Sequence, residues 1–195
     1  MGAKKSNRPD RRTIRTQHQL KETFIKILGE KSIDKVTVAE LTRACDIGRG
    51  TFYIHYKDVY DLYDSIVSDN IENLTAIFNQ YYPHDQDNNF APLAEHFVHY
   101  IVENKPVFEV MTNHGSDIKV LNQICDLLIR HIINIEHDDP ANMKQMAIIQ
   151  FAAYGMIGVI VDWLVNKPNA RMEDLIQVIT TSVGTLRSMC LSAKD

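Results

Sequence analysis

The sequence has few cysteines and no strong excess of charge of either sign. Its 195 residues include three cysteines, with no C-x-x-C pair among them, and the formal net charge is −4. An odd number of widely spaced cysteines does not fit a disulfide-rich domain or a zinc ribbon. The segment 1–12 is polar and basic, with no apolar run behind it. We therefore expect no signal peptide and a cytoplasmic protein.

Motifs of catalysis are also lacking. The sequence contains no nucleophile elbow, no Gly-rich phosphate loop followed by Lys and Ser/Thr, and no H-E-x-x-H. Asp138 and Asp139 precede Pro140 in a pattern typical of a helix cap. His96 and His99 have a spacing that metal sites use, but structural zinc needs four ligands and no second pair lies nearby. We predict that the chain is not an enzyme and has no cofactor, with a metal site at these histidines as the minority alternative.

Charge is distributed unevenly along the chain. Residues 1–57 contain 13 Lys and Arg against 6 Asp and Glu, a local charge of +7, whereas residues 58–195 carry −11. A basic segment attached to an acidic body indicates an acidic partner for the basic segment.

Apolar residues recur at helical spacing, and no stretch alternates as a strand does, so the sequence predicts an all-α chain of about nine helices. Thr37 and Glu40 form a capping box, which predicts the start of a short helix. Gly48 permits the tight turn after that helix, and Asp58 is placed to cap a longer one. The predicted helices cover 13–30, a short stretch after Thr37, 49–56, 59–80, 90–104, 106–113, 117–136, 140–166 and 171–191.

Two short helices joined by a tight turn, after a longer helix, have the outline of a helix-turn-helix unit. Phe52 and Tyr56 are four residues apart and share one face, which we expect to pack on Leu41 and Phe24. The remaining side chains of the second short helix then project elsewhere. They offer a guanidinium for guanine edges, hydroxyls for phosphates and a methyl group for thymine.

The segment 47–58 reads I-G-R-G-T-F-Y-I-H-Y-K-D and follows T-V-A-E-L at 37–41. This pattern resembles the DNA-binding signature of the TetR/AcrR family of transcriptional regulators, over about residues 13–65. The segment 49–62 is also similar to a subgroup that includes dihydroxyacetone-kinase operon regulators. The resemblance implies a DNA-binding helix-turn-helix domain at 1–58. A larger helical domain for effector binding and dimerisation then occupies 59–195.

The resemblance also assigns roles by motif position. Thr37 and Tyr53 are assigned to phosphates, His55 and Lys57 to the backbone of the DNA, and the start of the recognition helix to the major groove. The groove-facing residues are Arg49, Gly50 and Thr51.

Two positions depart from the family pattern. Asp46 stands where the turn commonly has Gly, so Gly48 is expected to serve the turn instead. Val59 stands where the family commonly has a Lys that reaches a phosphate. We therefore expect Lys57 and a basic N-terminal arm to provide more of the attraction to the DNA backbone. The alternative for the arm is a solubilising tail. Its basic residues are Lys4, Lys5, Arg8, Arg11, Arg12 and Arg15.

The stretch 146–165 has the length and apolar character of a membrane span. Gln150 lies inside it and Asp162 near its end, so we predict a core helix or an oligomer interface and no membrane. Gly155 and Gly158 allow close approach of a second helix. The last helix is expected to complete a four-helix dimer seam. Its seam residues are predicted to be Leu175, Ile179, Val183 and Leu186.

The body is rich in aromatic residues, and an apolar pocket with a few polar groups is the usual small-ligand site. We predict such a pocket between the helices near 93–111 and 150–163. Its predicted lining residues are Tyr100, Phe108, Met111, Tyr154 and Trp163. The sequence thus predicts a homodimeric TetR-type regulator that binds a palindromic operator in double-stranded DNA and answers to a small-molecule effector. The alternative is control by a protein partner, without a pocket.

Overall fold

The computed structural model describes residues 11–83, 88–113, 117–166 and 170–193, and this part of the chain contains nine α-helices and no strand. The prediction of an all-α chain with about nine helices is confirmed. A short 3-10 helix at Ile33–Lys35 precedes the second α-helix. The helices are α1 Arg11–Leu28, α2 Val38–Ala44, α3 Arg49–His55, α4 Val59–Tyr81, α5 Ala91–Glu103, α6 Lys105–Asn113, α7 Asp117–Glu136, α8 Met143–Asn166 and α9 Met172–Leu191.

The start of α8 differs from the predicted one. Asp139 Oδ1 accepts the Ala141 amide N–H at 2.9 Å, and the Asn142 amide donates to the Asp139 carbonyl at 2.9 Å. These bonds place Pro140 in a turn. The side chain of Asn142 then accepts the Gln145 amide N–H at 3.2 Å, which satisfies one of the free donors at the helix start.

The chain divides into two compact units, with the division between Val67 and Ser68 inside α4. Unit 1 ends at Val67 and unit 2 begins at Ser68. The functional boundary between residues 58 and 59 stays a prediction.

Unit 1 has a core of large apolar side chains from each of its helices. The α1 face with Leu20, Phe24 and Leu28 is almost fully shielded from solvent. Helix α2 packs against both α1 and α3. Leu41, Phe52 and Leu62 complete this core.

Unit 2 is organised around α8, which packs against α7 and α9, while α5 also packs on α9. Helix α8 is the one helix of the described ranges long and apolar enough to cross a membrane, judged by length and composition. Only one of its faces is buried. The buried residues recur every three or four positions, as one helical stripe does. They are Gln145, Ile149, Ala153, Ile157, Ile160 and Leu164.

Two of the four seam residues predicted for α9 face inward, so the prediction is wrong for those two. Leu175 and Ile179 are buried within unit 2. Helix α9 turns these two residues toward the interior because it packs on both α8 and α5. Val183 and Leu186 are half-buried and line a partly open cavity, and their place in a dimer seam stays a prediction. Its exposed large apolar residues are instead Val178, Met189 and Leu191.

All three cysteines are buried thiols outside any disulfide: Cys45 in unit 1, and Cys125 and Cys190 in unit 2. Burial, with a smaller contribution from the Asp126 carboxylate, raises the pKa of Cys125 to about 11. Such thiols are unreactive in the folded state because the thiolate is the nucleophile.

Candidate nucleic-acid interface

The turn between α2 and α3 is built around Asp46. Its φ of 52° lies in the left-handed region. The Asp46 amide donates to the Arg43 carbonyl at 3.2 Å, and the Ile47 amide donates to the Thr42 carbonyl at 3.0 Å. Gly48 has φ −71° and ψ 147°, an extended conformation that any residue adopts. The expectation that Gly48 serves the turn is therefore wrong, because Asp itself tolerates the left-handed conformation.

A side chain from α1 also supports this turn. Gln19 Nε2 donates to the Cys45 carbonyl at 2.9 Å, and Cys45 Sγ lies 3.8 Å from the Gln19 carbonyl as a weak donor. These two contacts connect α1 to Cys45 at the end of α2, just before the turn that leads into α3. No pattern in the sequence indicates this contact, because Gln19 is one polar residue of an amphipathic helix and belongs to no motif.

The inner face of α3 fixes the helix in unit 1. Phe24, Leu41 and Phe52 are completely buried, and Tyr56 is nearly so, as the four-residue spacing predicts. The ring centroids of Phe52 and Tyr56 lie 5.8 Å apart. Because one face is fully occupied by packing, the opposite face of α3 is left for solvent.

That opposite face carries the residues assigned to DNA. Arg49 and Gly50 at the start of α3, and Lys57 just after it, are exposed, and Tyr53 is 58% exposed. Thr51 and His55 are half-buried. The structure thus leaves the predicted contacts of α3 exposed or half-buried on unit 1, and their roles stay predictions. A guanidinium, hydroxyls and an ammonium on such a surface can donate to base edges and phosphates.

One exposed residue of α3 was missed from the sequence. Ile54 is 78% exposed, an unusual position for a large aliphatic side chain. It lies four residues after Gly50, as Tyr53 lies four after Arg49, so the two pairs form adjacent rows on the helix surface. The spacing alone would have placed Ile54 on the exposed side of α3. It was not predicted there because an aliphatic side chain is usually expected in the core.

Thr37 is exposed at the start of α2 and acts as the N-cap there. Its Oγ1 accepts the Glu40 amide N–H at 3.2 Å, which confirms Thr37 as the N-cap that the sequence predicts. Since Oγ1 accepts this bond, the hydroxyl hydrogen is directed elsewhere and can donate to a phosphate. Lys31 Nζ contacts Glu40 at 2.6 Å, and this hydrogen bond holds the pKa of Glu40 below its ordinary value.

The start of α4 positions Lys57. Asp58 Oδ1 accepts the amide N–H groups of Tyr60 and Asp61 at 2.9 Å each, which confirms Asp58 as a cap. Asp61 Oδ2 accepts the Lys57 amide at 2.8 Å. Val59 is buried, so its side chain contributes to packing where a Lys would reach outward.

The basic arm falls only partly within the described residues. Lys4, Lys5 and Arg8 lie outside the residues that the structure describes. Arg11, Arg12 and Arg15 lie on α1, and all three are exposed.

The structure brings only some of the residues predicted to line a ligand pocket together: the Tyr100 and Phe108 rings meet edge to face with centroids 6.2 Å apart. Phe108 and Met111 line an apolar cavity of about 20 Å³ against α8. The Tyr100 hydroxyl donates to Asn70 Oδ1 at 2.9 Å and faces a surface groove. Tyr154 is 45% exposed on the outer side of α8. Trp163 Nε1 donates to the Ala170 carbonyl at 3.1 Å and lines neither space.

His96 and His99 lie on α5 in the same groove as Tyr100, between Glu95 and Glu103. His96 Nδ1 is 2.8 Å from the Pro92 carbonyl, and its ring stacks on Tyr81 with centroids 3.7 Å apart. Within the described ranges, no group of three or more His, Cys, Asp or Glu is placed to hold a metal ion.

Comparison with known proteins gives consistent matches. Residues 88–184 match the family TetR_C_8, described as "Transcriptional regulator C-terminal region". Over 181 residues, the chain is 22% identical to the "Uncharacterized HTH-type transcriptional regulator YxbF" of Bacillus subtilis (strain 168). This match covers 90% of the chain and 47% of that protein, so the chain spans about half the length of this curated relative.

Solved structures share the fold. A TetR-family regulator from Syntrophomonas wolfei str. Goettingen has a TM-score of 0.67 at 14% identity, covering 91% of this chain and 96% of that one. The fatty acid degradation regulator FadR from Bacillus halodurans has a TM-score of 0.67 at 12% identity, covering 92% and 96%. The dihydroxyacetone kinase operon activator DhaS has a TM-score of 0.59 at 16% identity, covering 91% and 97%. At these identities the similarity is one of fold, and the proposed subgroup stays a prediction.

The matched family and relatives are transcriptional regulators, which confirms the prediction that the chain is not an enzyme. The signature at 37–62 belongs to a helix-turn-helix in unit 1, and the family match lies in the helical unit 2. The chain belongs to the TetR family of transcriptional regulators.

Proposed function

We propose that the protein is a homodimer that binds a palindromic operator in double-stranded DNA, with α3 of each subunit in the major groove. The observation that carries this proposal is the exposed face of α3, on which Arg49, Tyr53 and Ile54 are accessible while Phe52 is fixed in the core. In such a dimer the two recognition helices read half-sites about 34–36 Å apart.

We assign the contacts with DNA bases to Arg49 and Gly50 at the start of α3 and to the exposed Ile54. The Arg49 guanidinium suits the O6 and N7 acceptors of guanine, and a bidentate contact of this kind discriminates by about 1–3 kcal/mol. A side chain added at Gly50 would meet nothing within 4 Å, so the backbone can approach the DNA closely there. Ile54 supplies the apolar contact that a thymine methyl group favours.

Phosphate contacts fall to Thr37, Tyr53, His55 and Lys57. These contacts fix the register of the protein on the duplex and carry no sequence information themselves. They also release counterions, so affinity is expected to fall as salt rises. In this assignment residues 1–58 bind DNA, and residues 59–195 provide dimerisation and control.

Replacing Arg49 by alanine is expected to weaken specific operator binding by a factor of about 5 to 150, which corresponds to one lost base contact of about 1–3 kcal/mol. Binding to unrelated DNA is expected to change much less, since phosphates dominate it. Fluorescence anisotropy with the DNA upstream of the protein's own gene, at fixed salt, measures both affinities. Arg130→Ala is the matched control, because Arg130 is exposed on α7 in unit 2.

Two results would contradict the assignment. Wild-type protein without sequence-specific binding to that DNA at moderate salt would refute operator recognition there. Equal operator affinities for wild type and Arg49→Ala would remove Arg49 from the set of base contacts.

The outer faces of α8 and α9 support the proposed dimer. Phe151 is 70% exposed on α8, and Tyr154 and Val159 follow on the same outer side. Gly155 and Gly158 are exposed, and a side chain added at either would meet nothing within 4 Å, so a second helix can approach closely. Contiguous apolar surface of this kind on a soluble protein marks an interaction site.

Replacing Phe151 by glutamate is expected to convert the dimer to a monomer, because the seam would then bury a carboxylate from each subunit. The monomer presents one recognition helix and is expected to lose tight operator binding. Sedimentation equilibrium and anisotropy measure the two effects. Gln123→Glu on the exposed side of α7 adds the same charge elsewhere and is expected to stay dimeric. A dimeric Phe151→Glu protein would place the interface on another surface.

Control by a small-molecule effector of unit 2 is the first hypothesis, and control by a protein partner is the second. A specific observation favours the second, since the cavity that Phe108 and Met111 line measures only about 20 Å³, and the larger space of about 450 Å³ beside Tyr100 is an open surface groove. Titrating the protein–operator complex with purified products of the neighbouring genes tests it. Release by such a protein without added small molecules supports partner control, and no release by any of them argues against it.

The site of action follows from the family. TetR-family regulators are soluble, and a single apolar helix such as α8, with one buried face, is compatible with a soluble protein. A regulator that binds operators works where the DNA is, which supports the cytoplasm as its location.

A further inference from the structure

We propose that Gln19 of α1 is a positioning residue for operator recognition, because its side chain fixes the turn that orients α3. The inference deepens the proposed function, on which its role in DNA binding rests. Gln19 Nε2 donates to the Cys45 carbonyl at 2.9 Å, across 26 positions of sequence. A residue of α1 thereby acts on the connection between the two short helices that follow it.

The hydrogen bond falls on the peptide group that precedes Asp46. Cys45 is the C-cap of α2, and the last carbonyls of a helix have no partner within it. The φ angle of Asp46, which is 52°, describes the rotation of Asp46 relative to the planar peptide group that contains the Cys45 carbonyl. Holding the oxygen of this group therefore favours the left-handed conformation of Asp46, which L-residues adopt rarely.

The contact between Gln19 and Cys45 is reciprocal. The Cys45 thiol is a weak donor 3.8 Å from the Gln19 carbonyl, and Cys45 is 2% exposed. The buried thiol holds the position of Cys45 against α1, while the Gln19 amide orients the Cys45 carbonyl. Both the position and the rotation of the peptide group before Asp46 are therefore restrained by one residue of α1.

The direction of α3 depends on this restraint. Gly48 is the N-cap of α3 and supplies no side-chain hydrogen bond to it. The chain therefore enters α3 in the direction that the turn at Asp46 sets, and Phe52 then packs the inner face of the helix into the core. Since Arg49 follows Asp46 by three positions, a rotation at Asp46 moves the start of the recognition helix and its guanidinium.

The loss of the hydrogen bond has a calculable effect on operator binding. Without the Gln19 amide, the turn populates other rotations at Asp46, and only a fraction of the protein presents α3 as the operator requires. The apparent Kd rises as the inverse of that fraction. One neutral hydrogen bond shifts such an equilibrium by about 2- to 12-fold. Binding to unrelated DNA uses phosphates and no base edges, so it depends less on the orientation of α3.

Gln19→Met tests the proposal in the full-length protein, because methionine keeps the length of the side chain and removes the donor. Fluorescence anisotropy at fixed salt is expected to show an operator Kd about 2- to 12-fold higher than that of the wild type. The Kd for unrelated DNA is expected to change by less than about twofold. Gln17→Met makes the same substitution two positions earlier, on a different face of α1, and is expected to leave both affinities unchanged.

Hydrogen exchange of the backbone amides, followed by NMR, measures the turn without DNA. The Ile47 amide donates to the Thr42 carbonyl at 3.0 Å and closes the turn. Its exchange is expected to be about 2- to 12-fold faster in Gln19→Met than in the wild type or in Gln17→Met. The amides of α7 in unit 2 are expected to keep their rates, and circular dichroism is expected to show the helical spectrum of the wild type.

Three results would overturn the proposal. The first is an equal operator affinity of Gln19→Met and the wild type. The second is an equal loss of affinity for operator and unrelated DNA, because a misdirected α3 affects the base contacts first. The third is a loss of operator affinity with unchanged Ile47 exchange, which would make Gln19 a direct DNA contact. A wild-type protein without operator binding would instead remove the proposed function, and the exchange rates would still decide whether Gln19 holds the turn.

Discussion

Replacing Phe52 by alanine is expected to destabilise unit 1 by about 3–5 kcal/mol, a large part of the roughly 5–15 kcal/mol that stabilises a typical domain. Phe52 is completely buried and contacts the Tyr53 and Tyr56 rings, with centroids 5.5 Å and 5.8 Å away. Its removal leaves a cavity where α3 meets the core. Urea unfolding followed by circular dichroism measures the loss, and operator binding is expected to fall with it.

Ile54→Ala is the matched control for that experiment. It truncates a large apolar side chain two positions further along the same helix, and Ile54 is 78% exposed. Its effect on stability is expected to stay within about 0.5 kcal/mol, as for other surface substitutions. Its operator affinity is expected to fall, because the methyl contact is lost. If both variants lost similar stability, the inner and outer faces of α3 would not be as described.

Replacing Arg187 by methionine is expected to cost unit 2 about 3–5 kcal/mol, because Glu136 would remain buried without its guanidinium partner. The contact is short, at 2.8 Å, and both side chains are nearly enclosed. The double variant Glu136→Leu/Arg187→Met removes both charges and is expected to recover most of the loss. Thermal and urea unfolding of the two variants measure the difference.

Arg130→Met provides the matched control, since it makes the same substitution at an exposed position of α7. It is expected to change stability by no more than about 0.5 kcal/mol. If the double variant were as unstable as Arg187→Met alone, the loss of stability would come from lost packing of the aliphatic part of Arg187. The unpaired Glu136 carboxylate in the single variant would then not be its cause.

Features set by neighbours in the sequence were predictable. The Thr37 N-cap and the Asp58 cap depend on residues three positions apart or fewer. The burial of Phe52 and Tyr56 follows from their four-residue spacing. Local geometry determines these contacts, so their patterns predict them.

Features set by distant packing were not predictable. Leu175 and Ile179 have the spacing of an outward seam, but α9 turns them toward α5 and α8. Tyr154 is apolar enough for a core, yet it lies on the outer side of α8. Periodicity identifies a stripe on a helix without saying which neighbour covers it. For the same reason the Glu136–Arg187 pair, which joins α7 to α9, left no pattern in the sequence.

The burial of the three cysteines supplies each unit with its own natural probe. Cys45 lies in unit 1, and Cys125 and Cys190 lie in unit 2. A thiol reagent reaches them only when the surrounding unit opens, since exchange requires an accessible thiolate. The modification rate at each position therefore reports the opening of one unit by itself, without an introduced label.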